Sequence, residues 1–309
     1  MKNSISNEGL IDIELLSAEI WRRKIFLVTL TLIITVISAF FALSLPNIYI
    51  SQSKLMPSST EDSLSSKIGG LSSLASIGGL AMPTMSAGKS QEGIERIKSF
   101  EFFSTHFLPN IDLENIVAVK KWIPEKNIIV YDKKLFDKAQ EKWIRKVKYP
   151  KNTIPSAQEA YKIYSKILKI NEDKVTSFIT ISIEHESPII AKEWVDIIIY
   201  EINESMRQLD ADVAKKSISY LNEESKLTKV QSIKDVLTNL LESQMQTLML
   251  TASNEAYVFK VIDSSIVPEE KSKPNRILIV ILGFLLGLML SLLFISVKYY
   301  LSFKKSYDE

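Results

Sequence analysis

Apolar residues along this chain form three kinds of pattern: two unbroken runs, short stretches of alternation, and one long stretch of helical spacing. The unbroken runs are 25–45 (IFLVTLTLIITVISAFFALSL) and 277–297 (ILIVILGFLLGLMLSLLFISV). Each holds 21 residues and no charge. A hydrocarbon core about 30 Å thick needs roughly 20 apolar residues of helix, so each run predicts one transmembrane helix. A signal peptide is the rival for the first run. The run exceeds the usual apolar core of about 7–15 residues, which favours an uncleaved anchor. The chain thus divides into a tail (1–24), a first span (25–45), a central lobe (46–276), a second span (277–297) and a short end (298–309).

Within the lobe the pattern mixes periods. The apolar start of Ile48-Tyr49-Ile50 through Leu55 predicts a strand directly after the first span. Residues 58–90 are rich in Ser and Gly, with Leu71, Leu74, Ile77 and Leu80 on a three-residue beat. They predict a loop with a short helical piece. Ile94, Ile97, Phe100, Phe103 and Phe107 share one face of a predicted helix over 91–107. Further short helices are predicted over 112–119 and 132–147. Another starts at Ser156, with Glu159 as its capping-box partner, and runs to Leu168. Residues 177–184 (SFITISIE) alternate with period two and predict the clearest strand.

The long stretch begins at Ser187-Pro188, a good N-cap followed by proline at the first helical position. No Gly or Pro occurs from Ile189 to Val267. Val195, Ile199, Ile202, Met206, Leu209 and Val213 step by four and three, and Leu227, Val230, Leu237, Leu241, Met245 and Leu248 resume the stripe. The pattern predicts one helix from Pro188 to about Leu250, roughly 95 Å long. A break near Asn222 is the alternative. Tyr257 to Asp263 then returns as a strand, which can pair with the first strand beside the membrane. The predicted fold class is α+β: two transmembrane helices flanking one periplasmic lobe, with a membrane-proximal sheet and a long protruding helix.

Charge sets the orientation. Arg22, Arg23 and Lys24 precede the first span, and Lys298, Lys304 and Lys305 follow the second. Short cytoplasmic segments collect Lys and Arg, so both termini are expected inside and the lobe outside. Lys271, Lys273 and Arg276 point the other way, but they end a very long loop, where such charges weigh little. Trp21, Tyr299 and Tyr300 suit the membrane interface. Before the first span, Ile11, Ile13, Leu15, Leu16 and Ile20 alternate with acidic residues. Either an amphipathic helix or a tail ordered only by its neighbour fits them.

The remaining composition mostly excludes. The lobe carries 31 Lys and Arg against 30 Asp and Glu, so nothing electrostatic points to nucleic acid. The absence of cysteine removes thiol catalysis, disulfides and zinc-thiolate sites. His106 and His185 are the only histidines. His185 between Glu184 and Glu186 forms a weak metal cluster, and a solvated strand end is the favoured alternative. No phosphate-binding glycine motif and no acid/base pair stand out. Neither span carries an ionisable residue, which argues against a transporter or proton pump. No cofactor, metal or catalytic residue is expected. The second span holds Gly283 and Gly287 as G-x-x-x-G, a candidate helix-packing face.

The layout resembles the Wzz-type polysaccharide chain-length determinants, or polysaccharide co-polymerases. Ile11 to Leu16 before Trp21-Arg22-Arg23-Lys24 is similar to that family's N-terminal entry. Leu71 to Leu80 (LSSLASIGGL) resembles its loop after the first strand. Phe259 to Asp263 followed by Pro268, Lys273 and Pro274 resembles its proline-rich approach to the second span. The resemblance implies an oligomeric inner-membrane scaffold, not an enzyme. Such a scaffold sets the modal length of O-antigen or a related surface polysaccharide together with a Wzy-type polymerase, which works on lipid-linked repeat units. It implies a homo-oligomer as well. The kinase-bearing branch is not expected, since only Lys298 to Glu309 follow the second span. A two-span sensor or adaptor signalling through a separate partner is the alternative function.

Overall fold

The computed structural model describes residues 21–58 and 88–308, with side chains to residue 298. The tail pattern over 11–20, the loop over 58–90 apart from its ends, and the side chains of Tyr299, Tyr300, Lys304 and Lys305 lie outside the described residues. In chain order the elements are α1 (Lys24–Ser44), β1 (Tyr49–Pro57), α2 (Gly88–Lys98), α3 (Leu113–Val117), β2 (Val119–Ile123), β3 (Ile128–Tyr131), β4 (Phe136–Asp137), β5 (Lys142–Trp143), α4 (Ala157–Ile167), β6 (Leu168–Glu172), β7 (Ile179–His185), α5 (Pro188–Leu227), α6 (Gln231–Ser253), β8 (Phe259–Asp263) and α7 (Arg276–Asp308). They fall into two units: residues 1–47 with 272–309, and residues 48–271.

In the first unit α1 and α7 pack antiparallel. Phe26 meets Phe294 near one end, and Arg276 reaches Ala42 and Leu45 at the other. Both helices are long and apolar enough to cross a membrane. They are not core helices, because Leu32, Phe40, Leu282 and Leu285 among others remain exposed. So much exposed apolar surface calls for an apolar surrounding. The second helix does not stop at Val297 but continues to Asp308.

The second unit is α+β, as the pattern predicts. Its main sheet has the order β6-β7-β1-β8, with every neighbouring pair antiparallel. The first and last strands of the lobe are therefore neighbours, with Leu55 opposite Val261 and Pro57 opposite Phe259. Alternation decides the faces. Ile179, Ile181 and Ile183 of β7 and Leu55 of β1 point into the core, each no more than 1% exposed. The first half of α5 covers that face with Ile190, Trp194, Val195, Ile198, Ile202 and Met206. Each fully buried aliphatic side chain contributes on the order of 1.5–3 kcal/mol. Phe103, Phe107 and Tyr164 complete the core, and Tyr164 donates its hydroxyl to Ile97 O at 2.9 Å.

Local chemistry explains several boundaries. Ser156 and Glu159 form the reciprocal capping box of α4, and Arg145 grips the same Glu159 carboxylate at 2.6 Å. That guanidinium holds Glu159 far below the usual carboxylate range, at about 2. The helix predicted over 91–107 is broken instead. Ser99 leaves helical geometry and its side chain accepts from Phe102 N, starting a new turn that widens into a π-helix over Phe103–Phe107. The wider turn seats Phe103 and Phe107 around Tyr164.

Two expectations fail outright. Residues 132–147 form no helix. Tyr131 meets Phe136 edge-on and Phe136 meets Trp143 at a tilt there, and β4 pairs with β5. The long helix is also not one rod of 95 Å. It ends at Leu227, about 60 Å from its start, and Thr228 and Val230 adopt extended backbone. The chain then doubles back as α6, and near its end Thr251 O accepts from Arg207 at 3.1 Å. The break lies beyond Asn222, and the result is an αα-hairpin with a three-residue corner.

Candidate functional site

The two spans meet along a seam of small and hydroxyl-bearing residues. A Cβ at Gly283 would lie 2.3 Å from Ser38 Oγ, and one at Gly287 would lie 3.2 Å from both Ile34 Cβ and Thr31 O. Both glycines thus face α1 of the same chain. Ser38 donates to Ile279 O across the contact at 2.9 Å. Thr31 and Ser291 face one another with oxygens 3.4 Å apart, both nearly inaccessible. Thr31 and Thr35 also return hydrogen bonds to carbonyls one turn back, so their hydroxyls stay satisfied in an apolar surrounding.

Arg276 closes one end of the seam. Its Nε donates to Ala42 O at 3.2 Å, and its other donors reach Leu45 O and Asn47 Oδ1. The last carbonyls of a helix lack partners within the helix and carry its negative pole, so a guanidinium suits them. Sequence reasoning counted Arg276 only as a flanking charge. Pro274 is partly buried just before α7. Pro268 belongs to the other unit, after β8, and is also partly buried. The structure therefore brings the two glycines together on one face and leaves the two prolines in separate units.

Inside the lobe, polar clamps tie α5 to β8. Asn203 lies on the buried face of α5. Its Oδ1 accepts from Val258 N at 2.7 Å and Phe259 N at 2.9 Å. Its Nδ2 donates to Phe259 O at 3.1 Å and Ile199 O at 2.9 Å. About two turns further on, Asp210 accepts from the Tyr257 hydroxyl at 2.6 Å and from Lys89 at 2.7 Å. The ammonium of Lys89 also lies over the Tyr257 ring. Beyond Met206 the helix leaves the core. Leu209, Val213, Tyr220 and Leu227 are 40–74% exposed. Spaced by four, seven and seven, they fall within an arc of about 40°.

His185 is not a solvated strand end. It is 4% exposed, packed edge-on to Trp194, with Nε2 2.9 Å from Asn115 O and Nδ1 accepting from Ser187 N at 2.9 Å. Burial pushes its pKa below the ordinary value. Both ring nitrogens are engaged, so the ring joins the end of β7 to α3 and to the start of α5. Among the described residues no group of three His, Asp or Glu side chains could hold a metal.

Residues 226–300 match the family model described as GNVR, a G-rich domain on putative tyrosine kinase. In the structure that segment holds the corner of the hairpin, the returning helix α6, the last strand β8, Pro268, Pro274 and the second span. The match supports the resemblance to the Wzz-type chain-length determinants. Two of the similar solved structures are polysaccharide co-polymerases. One is a full-length bacterial polysaccharide co-polymerase, 13% identical over 95% of this chain and 98% of that one, with a TM-score of 0.40. The other is a fragment of WzzB, a polysaccharide co-polymerase from Salmonella Typhimurium. It is 14% identical over 74% of this chain and 100% of that one, with a TM-score of 0.30. At such scores neither likeness bears on function. No curated protein matches the chain.

Proposed function

We propose that the protein regulates the chain length of O-antigen or a related surface polysaccharide, as a non-enzymatic scaffold of the bacterial inner membrane. Its two spans anchor it with both termini in the cytoplasm and the lobe in the periplasm. It acts as a homo-oligomer beside a Wzy-type polymerase and the lipid-linked chain that the polymerase extends. The observation that carries this reading is the GNVR match across α6, β8 and the second span, in a chain whose α+β lobe joins two helices able to cross a membrane. Self-association is supported by the exposed line of Leu209, Val213, Tyr220 and Leu227, which has the seven-residue spacing of a helix that packs on another. Within one chain Gly283 and Gly287 serve the pairing of the two spans, and Pro268 and Pro274 stiffen the approach to the second.

Gel electrophoresis of surface polysaccharide from a deletion strain tests this. Polymer should still be made, but its clustered length distribution should give way to a broad one weighted to short chains. Loss of all polymer would assign the protein to synthesis or export, and an unchanged distribution would remove it from length control.

A further inference from the structure

The described part of the lobe contains an open cleft of about 820 Å³, between the first half of α5, the end of α6 and β8. That volume lies within the range of roughly 300–1,000 Å³ typical of small-molecule sites. Its floor is apolar, with Ile199, Phe259 and Val261. Its walls carry Asp196, Glu204 and Glu255 against a single guanidinium, Arg207. Tyr200 stands at the rim, 67% exposed.

The charges in this cleft are arranged in a way that selects a ligand class. Arg207 donates from Nε and Nη2 to Glu204 and from Nη1 to Thr251 O, so its donors turn into the protein. Asp196 is held by Lys192 at 2.5 Å and by the Ser265 hydroxyl. Glu204 and Asp196 are each paired with a cation, which leaves Glu255 as the excess charge, so the cleft is net negative and disfavours phosphate and uronate groups, and its one guanidinium is already engaged. What the walls offer instead is acceptor capacity for hydroxyl donors, above an apolar floor and beside an aromatic ring. A pyranose has the matching division, with hydroxyls around its edge and C–H groups on its faces. An aromatic side chain combines apolar area with a polar tip and suits that mixed surface.

We propose that this cleft binds uncharged sugar units of the glycan whose length the protein sets, with Tyr200 stacking on a ring face and Glu255 accepting from ring hydroxyls. The proposal rests on the chain-length reading for the source of the sugar. Under it the contact is with the growing polymer, not with the pyrophosphate of the lipid carrier.

The test uses full-length protein in nanodiscs. The probes are oligosaccharide released by mild acid from the producing cell's surface polysaccharide, the same material after oxidation of its primary hydroxyls to carboxylates, and inorganic pyrophosphate. Saturation-transfer NMR reads binding. The unoxidised oligosaccharide should bind, and the oxidised form should bind at least tenfold more weakly. Tyr200→Ala should weaken binding at least tenfold with no change in thermal unfolding, and Glu255→Gln should weaken it several-fold. Absence of binding, equal binding by Tyr200→Ala, or stronger binding of pyrophosphate would each overturn the proposal. The deletion strain separates the two ideas. A lost length mode without oligosaccharide binding sinks the cleft alone, whereas binding with an unchanged length mode sinks the chain-length reading alone.

Discussion

Replacing Asn203 with alanine should unfasten β8 from the helix that supports it. The side chain is 6% exposed, and its amide serves three backbone groups of the strand entry: the N–H groups of Val258 and Phe259 and the carbonyl of Phe259. Val258 and Phe259 are themselves 3% and 0% exposed, so water cannot readily take over. Leaving a buried donor or acceptor unpaired costs about 1–3 kcal/mol. Partial relaxation of three such groups gives an expected loss of about 3–5 kcal/mol. That is a large share of the roughly 5–15 kcal/mol that holds a typical domain together. Trp194, 2% exposed and packed on Phe107, reports the unfolding of this core by fluorescence in urea, with the full chain in detergent. The control is Gln208→Ala on the exposed side of the same helix, whose side chain donates only to Glu204. It should cost less than about 0.5 kcal/mol. A loss for Asn203→Ala of under about 1 kcal/mol would show that β8 holds its place by packing alone, and the clamp account would fail.

Three more outcomes are expected. Because the chain has no cysteine, Thr31→Cys with Ser291→Cys supplies a clean reporter of the seam: oxidation should cross-link within one chain, and adding Gly283→Leu should cut the yield several-fold, whereas cross-linked dimers would refute intrachain pairing. Ala214→Pro in α5, at a position with no exposure, should cost about 3 kcal/mol and loosen the hairpin, seen as faster amide exchange in α6; unaltered exchange would show that α6 does not depend on a straight α5. His185 is buried with its pKa lowered, so the unfolded chain takes up its proton first, near 6.5; stability should therefore be full above that pH and decline as pH falls toward the folded value, and His185→Gln should flatten that slope in pH-dependent urea melts, a parental slope being the contrary result.

How much of this was legible depended on whether a local rule or a distant partner decided each feature. The capping box at Ser156 and Glu159, the alternation of β7 and the two uncharged spans are local, and the structure has them where the pattern puts them. The adjacency of β1 and β8 followed from their positions at the two ends of the lobe. The hairpin corner was invisible because Thr228, Lys229 and Val230 include neither Gly nor Pro. The turn is favoured by what α6 meets on its way back, not by its own residues. Leu209 and Val213 continued the apolar stripe in sequence, but the core ends at Met206. Residues 132–147 had helical spacing, yet Phe136 and Trp143 found each other and Tyr131 instead. Asn203 did leave a signal, as an amide among Ile199, Ile202 and Met206 on the buried side of a helix. G-x-x-x-G at Gly283 named one half of the seam, and only the structure supplies Ser38 and Thr31 as the other half.

The position of β1 in the sheet also sets a timetable. Its residue Pro57 pairs with Phe259, so 202 positions of chain separate the two partners. At about 5–20 residues per second of synthesis, β1 leaves the ribosome roughly 10–40 s before β8 exists. Its other neighbour, β7, arrives earlier but still more than a hundred residues later. Until β7 arrives the nascent strand has both edges bare, and until β8 arrives it has one, a template for any extended segment nearby. Sheet closure is thus a race between the last strand and foreign strands. A ribosome stall between β7 and β8 should be far more damaging than one of equal length after β8 has been made.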